Sequence, residues 1–387
     1  MKILVDADVP AADACFAELG EVARLPGREI DAAALRQVDA LVVRSITRVD
    51  AALLAEADRL RFVGTCTIGI DHVDTELLAE RDIAFASAPG CNAEAVVDYV
   101  LGSLATLAER QGWRLSERRV GVVGAGNVGG RLLHRLAAMG IDCLACDPPR
   151  LEAQTMPQEG GLDFVDLETL VDRCDVLCLH TPLVGEGPHA TYHLLGAEAI
   201  AELAPGTVLL NAGRGDCVDG QALRSRLAAQ GDITAVLDVW EHEPGIDAAL
   251  RDLAEIATPH IAGHSLDGKR RGTHMIYQAL CRHLDLPARV PLQALLPAPP
   301  LRRLELGPGL APEEALRLGI RGVYDVRRDH DSLLRESRRQ GMARGFDACR
   351  AGYPLRREFA TLEVALSQAS AELAPLLTGA GFQVTRH

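Results

Sequence analysis

Residues 120–140, VGVVGAGNVGGRLLHRLAAMG, constrain this chain more than any other stretch. An apolar strand runs into Gly124, Gly126 and Gly129, and an amphipathic helix follows. A GxGxxG spacing says little by itself, but here both flanks that it needs are present. Gly124 permits the tight turn, Gly126 lets the backbone approach a pyrophosphate, and Gly129 lets helix and strand pack closely. The amides of Asn127 and Val128 then face phosphates from the positive end of the helix. No Lys-Ser/Thr pair follows, which excludes a nucleotide-hydrolysing phosphate loop. Eighteen residues beyond Gly129, Asp147 ends the next strand in CLACDPP. A carboxylate there binds both hydroxyls of an adenosine ribose and repels a 2′-phosphate, so NAD is expected over NADP. No arginine directly follows Asp147; the nearest is Arg150.

Around this loop, short apolar runs alternate with helical patterns. KILVD, ALVVRS, FVGT and IAFASA are strand-like, and AADACFAEL, DAALLAEA and DTELLAERD are helical. A second block carries CLACD, DVLCLH, TVLLNAG and TAVLDVW to about residue 258. Such alternation implies parallel sheets covered on both faces. The strongly apolar helix over 92–109 reads as buried. A further helix is expected over 267–284, and five prolines within 285–301 predict a linker without regular structure. From 302 to 387, 14 Arg and no Lys oppose 11 Asp plus Glu, a local +3 in a chain of net charge −14. This basic tail mixes strand and helix patterns and reads as an added α+β domain for self-association.

Three polar residues follow strands of the second block. Arg214 lies between glycines in NAGRGD, Glu243 ends LDVWEHE before a proline, and His260 sits in TPHIAG. Ligands bind open α/β sheets at the carboxyl ends of the strands, where all three are expected. A guanidinium grips a substrate carboxylate bidentately, and an imidazole accepts a hydroxyl proton as hydride leaves for NAD. A glutamate beside the imidazole orients it and stabilises its charged form. Glu241 and His242 read as surface turn, because adjacent turn residues diverge and no HExxH is present, so no metal site is expected.

GVVGAGNVG, CDPP, HTPL, NAGRGD, LDVWEHEP and TPHIAG together resemble the D-isomer-specific 2-hydroxyacid dehydrogenases. The resemblance implies Arg214, Glu243 and His260 as catalytic residues. It implies NAD contacts from Thr181, Ala212, Gly213, Asp238 and Gly263, and substrate contacts from Ser45 and Thr67. It also implies an architecture of two doubly wound parallel-sheet domains, a Rossmann NAD domain (94–257) inserted in a flavodoxin-like substrate domain (1–93 and 258–285). A small α+β dimerisation domain (286–387) completes it. VVRSITRV, FVGTCTIGIDHVD, APGCNAEAVVDYV, HIAGHSLDGKRRGT and VYDVRRD extend the likeness, within the family, to a homodimeric member acting on a small phosphorylated hydroxy acid. His264 stands where that pattern has a tyrosine reaching the substrate; an imidazole still donates a hydrogen bond but is shorter and titratable.

A phosphate site has candidates of its own in Arg44, Ser45, Arg48 and Lys269, and a tail arginine such as Arg350 could complete it from a partner subunit. The acidic balance argues against nucleic acid. Met1 leads straight into a strand-like run, and no apolar stretch reaches membrane-spanning length, so the cytoplasm is the expected compartment. The ten cysteines, including Cys143 and Cys146, are expected as buried reduced thiols. Two other readings stay open: a dehydrogenase for a different 2-hydroxy acid such as phosphoglycerate, and a non-catalytic NAD-sensing protein.

Overall fold

The structure is a computed structural model that describes residues 1–153 and 163–386. It divides into two compact units, Met1–Asn92 with Ser265–Ala298, and Ala93–His264 with Pro299–His387.

In the first unit, β1 (Lys2–Asp6), β2 (Glu21–Leu25), β3 (Ala40–Val43), β4 (Phe62–Thr65) and β5 (Ala84–Ala86) form a parallel sheet ordered β2-β1-β3-β4-β5. This is the flavodoxin-like order. β3 and β4 are fully buried, as continuous apolar strands between two helical layers should be. The helix Leu266–His283 returns to this sheet, where Ile276, Tyr277 and Leu280 join Ile3, Val42 and Phe62 in one core. One strand went unread in the sequence, and two expectations need correction here. EVARL forms edge strand β2, where the exposed charges of Glu21 and Arg24 break the apolar pattern. DAALLAEA makes only a 3-10 turn at Leu53–Glu56. The proline-rich stretch contains a helical turn, Leu292–Leu295, entered from Pro291.

In the second unit, β6 (Val120–Val123), β7 (Cys143–Cys146), β8 (Asp163–Phe164), β9 (Val176–Leu179), β10 (Val208–Asn211), β11 (Thr234–Leu237) and β12 (Ile256–Ala257) are parallel, ordered β12-β11-β10-β9-β6-β7-β8. The chain reverses direction across the sheet at β6, whose neighbours are β7 and β9. Crevices for ligands open at the carboxyl ends of the strands at such a point.

The tail adds a parallel sheet β13-β14-β15 (Arg303–Leu306, Glu363–Leu366, Gln383–Arg386) and helices Pro312–Val323, Val326–Gln340 and Met342–Ala351. It shares one core with the helix Ala93–Gln111: Tyr99, Leu101 and Leu104 pack with Ile320, Tyr324 and Phe359. Buried polar pairs pin the same contact. Arg135 donates to Asp98 (2.7 Å) and to the carbonyl of Ala380 (2.9 Å), and the amide of Phe359 donates to the other Asp98 oxygen (2.8 Å).

Candidate active site

The carboxyl ends of three neighbouring strands carry the three polar residues singled out above. Arg214 follows β10, Glu243 follows β11, and His260 follows β12. Glu243 and His260 meet directly, with Nδ1 of His260 2.7 Å from Oε2 of Glu243. The other carboxylate oxygen accepts the amide of Trp240 at 2.9 Å, so the acid is oriented from both ends. His260 is the more exposed of the pair, its side chain 36% accessible. With Nδ1 turned to the carboxylate, Nε2 is the nitrogen left to exchange a proton.

His260 adopts φ +56°, a left-handed conformation that costs a non-glycine residue about 1–3 kcal/mol and persists only where surroundings enforce it. Asp238 is part of that enforcement. Its carbonyl accepts the His260 amide (2.7 Å), and its carboxylate accepts Thr258 Oγ1 (2.7 Å) and the amides of Ile261 (2.8 Å) and Ala262 (2.9 Å). Asp238 is 1% exposed. Burial raises its carboxyl above the ordinary range, while His260 and these donors pull it down. The structure therefore places Asp238 beneath the His260 loop as its anchor.

Arg214 joins the pair through its backbone. Asn211 Nδ2 donates to the Arg214 carbonyl (2.9 Å), and Asn211 Oδ1 accepts the Gly213 amide (3.1 Å). Next to it, a Cβ on Gly215 would stand 2.0 Å from the Trp240 carbonyl carbon, so the arginine loop presses against the Glu243 turn. The guanidinium donates one bond to the Gly213 carbonyl (2.8 Å), its side-chain contact among the described residues. Its other donors remain for a carboxylate. Asn211, Trp240 and Thr258 escaped the sequence reading, because their task is to hold backbone and no motif announces it. Glu241 also departs from that reading: it accepts the Gly220 amide (2.9 Å) and pairs with His193 (2.8 Å) instead of facing solvent as plain turn.

The loop after β6 fits a dinucleotide. Gly124 has φ +87°, and a Cβ on Gly129 would stand 1.9 Å from the Gly124 carbonyl oxygen. Both glycines are dictated by the chain itself. At Gly126 a Cβ would meet nothing, so the reason for a bare backbone lies in something bound against it. The amides of Asn127 and Val128 precede the helix Gly129–Ala138, whose first amides have no partner within it. Asp147 closes the same loop, Oδ2 accepting the Ala125 amide (2.8 Å) and Oδ1 the Arg150 amide (3.1 Å). Arg150 Nε lies 3.6 Å from that carboxylate. Thr181 follows β9, its hydroxyl 3.4 Å from Cys217 Sγ, and Ala212 and Gly213 follow β10.

Residues 98–262 match the family model described as D-isomer specific 2-hydroxyacid dehydrogenase, NAD binding domain. An erythronate-4-phosphate dehydrogenase of Chromohalobacter salexigens is 60% identical over 384 residues, 99% of each chain. The chain belongs to the D-isomer specific 2-hydroxyacid dehydrogenases. An erythronate-4-phosphate dehydrogenase of Azotobacter vinelandii is 53% identical over 98% of this member and 99% of its own length. Among solved folds, the TT0316 protein from Thermus thermophilus superimposes with TM-score 0.61 at 27% identity, over 75% of this chain and 99% of that one. A D-lactate dehydrogenase from Aquifex aeolicus, complexed with NAD and lactic acid, shares the fold at TM-score 0.58 and 22% identity, over 74% of this chain and 96% of that one. Residues 295–378 match a domain of unknown function. As a family member this dehydrogenase uses NAD, and the glycine loop, Asp147 and the rim residues fit that cofactor.

The expected substrate contacts Ser45 and Thr67 belong to the other unit, on loops after neighbouring strands β3 and β4. Ser45 is exposed, and Thr67 Oγ1 donates to the Gly69 carbonyl (3.0 Å). Arg44 pairs with Asp8 (3.0 Å) and Arg48 with Asp50 (3.3 Å). In the Glu243 unit, Gly263 and His264 end the loop that carries His260, and the His264 ring meets Tyr353 edge-on at 5.3 Å. Arg350, weighed above as a partner's contribution, lies in its own chain 3.7 Å from Glu243 Oε2. Among the described residues, no helix is long and apolar enough to cross a membrane.

Proposed function

We propose that this chain oxidises the C2 hydroxyl of 4-phospho-D-erythronate to (R)-3-hydroxy-2-oxo-4-phosphooxybutanoate, a step of pyridoxine biosynthesis. The reading is carried by full-length identity of 60% to a relative bearing that activity's name, in a chain that pairs His260 with Glu243 at the sheet rim. NAD, when bound, takes up the hydride. Arg214 holds the substrate carboxylate and polarises the developing carbonyl. His260 accepts the hydroxyl proton at Nε2, and Glu243 keeps Nδ1 protonated and compensates the charge that develops on the ring. Gly124, Gly126, Asn127, Val128, Gly129, Asp147, Thr181, Ala212, Gly213, Asp238 and Gly263 line or support the cofactor site, with Ser45, Thr67 and His264 toward the substrate. We assign substrate binding to residues 1–93 and 258–285, NAD binding to 94–257 and self-association to 286–387. The working form is then a cytoplasmic homodimer, and sedimentation of the intact chain reads its subunit number.

The deciding experiment follows NADH formation with 4-phospho-D-erythronate, phosphoglycerate and lactate as alternative substrates. The proposal expects 4-phospho-D-erythronate to give the highest kcat/KM. A higher value with phosphoglycerate moves the assignment within the family. NAD binding without turnover of any hydroxy acid would leave a sensing role.

A further inference from the structure

The tail grips the catalytic loop from behind. Segment 257–264 runs from edge strand β12 to the unit boundary, and it carries His260 midway. The amides of His260, Ile261 and Ala262 are taken by Asp238, as described. At Thr258 the loop is held by the body of the unit, its amide donating to the Leu237 carbonyl and its carbonyl accepting Trp240 Nε1, while the Ala257 amide and the Ile261 and Ala262 carbonyls turn to the tail. The Ala257 amide, at the open edge of the sheet, donates to His330 Nδ1 at 3.0 Å. Arg356 Nη1 donates to the carbonyls of Ala262 (3.0 Å) and Ile261 (3.5 Å), and its Nη2 to that of Ala95 (2.5 Å). Tyr353 closes on the ring of His264.

Arg356 is 1% exposed and lies flat on Tyr324, Cζ 3.6 Å from the ring centroid. Tyr324 and Tyr353 in turn donate to one oxygen of Asp329 (3.0 and 2.7 Å). A fully buried guanidinium costs several kcal/mol unless it is hydrogen-bonded and compensated. Two of the carbonyls that compensate it directly follow His260 in the chain. The loop is therefore held between an anion on its amide side and a cation on its carbonyl side.

We propose that residues 299–386 act in catalysis within their own chain, with Arg356 as the positioning residue that fixes the loop presenting His260 and His330 as its second hold. This rests on His260 being the base. It gives the domain of unknown function a task apart from self-association. An orientation error of about 1 Å at a reacting group costs up to roughly 10²-fold in rate, so a loosened grip should be read in kcat.

The test uses the full-length enzyme with Arg356→Met, Arg356→Lys, His330→Leu and, in parallel, His260→Ala, each checked for folding by circular dichroism. Expected for Arg356→Met is a kcat at least ~10-fold lower with KM for substrate and Kd for NAD within about twofold, and partial recovery in Arg356→Lys, whose ammonium still donates to one carbonyl. Folded Arg356→Met with unchanged kcat overturns the proposal, as does an equal loss in kcat and NAD affinity, which marks general loosening. Should Arg356→Met not fold, His330→Leu decides: reduced kcat at unchanged NAD affinity supports the grip, and unchanged kcat overturns it. Near-normal turnover by His260→Ala sinks the base assignment itself, whereas its loss beside an intact Arg356→Met sinks only the grip.

Discussion

His260 and Glu243 share one hydrogen bond of 2.7 Å, and the acid's second oxygen is spent on the Trp240 amide. The acid is thus a fixed partner that can turn in neither direction. Glu243→Gln keeps the shape and an acceptor for Nδ1–H but removes the charge that offsets a protonated ring. We expect kcat to fall by about 10–10²-fold, against about 10²–10⁴-fold for His260→Ala, with NAD affinity unchanged in both. Steady-state rates beside NAD titration check this, and a wild-type kcat in Glu243→Gln would remove the acid from the chemistry.

Two glycines of one loop should fail in opposite ways. Gly126→Ala places a methyl group in open space, so its melting temperature should match the parent while Kd for NAD rises ~10-fold or more. Gly129→Ala drives the same methyl group to 1.9 Å from the Gly124 carbonyl oxygen, so it should lose stability by about 1–3 kcal/mol. Thermal melts with and without NAD separate the cases. Equal melting losses in both variants would contradict an open cradle at Gly126.

We assign cofactor choice to Asp147, and Arg150, its nearest following arginine, stands beside it. Arg150 Nε stands 3.6 Å from the carboxylate. Asp147→Ser removes the charge that repels a 2′-phosphate and frees Arg150 toward it. The ratio of kcat/KM for NAD over NADP should drop by roughly 10-fold or more, the scale of one relieved like-charge contact. A ratio that stays constant would mean that discrimination resides elsewhere.

What the sequence revealed followed from periodicity and from chemistry placed at strand ends. The glycine loop, Arg214 and Glu243 could be placed at strand ends because each follows an apolar run that reads as a buried strand, and His260 because it sits in the next loop directly after Pro259. EVARL was not legible, since an edge strand tolerates the exposed charges of Glu21 and Arg24, which interrupt its apolar pattern. Arg356 and His330 were illegible for a different reason. Arg356 meets carbonyls 94 and 95 residues away, and His330 an amide 73 residues away, and no local pattern encodes such a meeting. The one trace was compositional, a tail that uses only arginine for positive charge, the cation suited to gripping several acceptors at once.

His180 directly follows β9 beside the glycine loop, and both of its ring nitrogens are enclosed without a hydrogen-bond partner among the described residues. Burial lowers its pKa from 6.5 to about 4. Above 6.5 the ring is neutral whether the chain is folded or not, and it contributes nothing to pH dependence. As pH falls from 6.5 towards about 4, the unfolded chain takes up a proton that the folded chain refuses, so stability declines across that window. The loss amounts to at most about 3 kcal/mol at the acid end. His180→Leu should be flatter than the parent over the same window, since its side chain cannot titrate. Urea unfolding of both proteins without NAD, from neutral pH down to the foot of the window, measures the difference, and parallel curves would mean that His180 protonates as readily folded as unfolded.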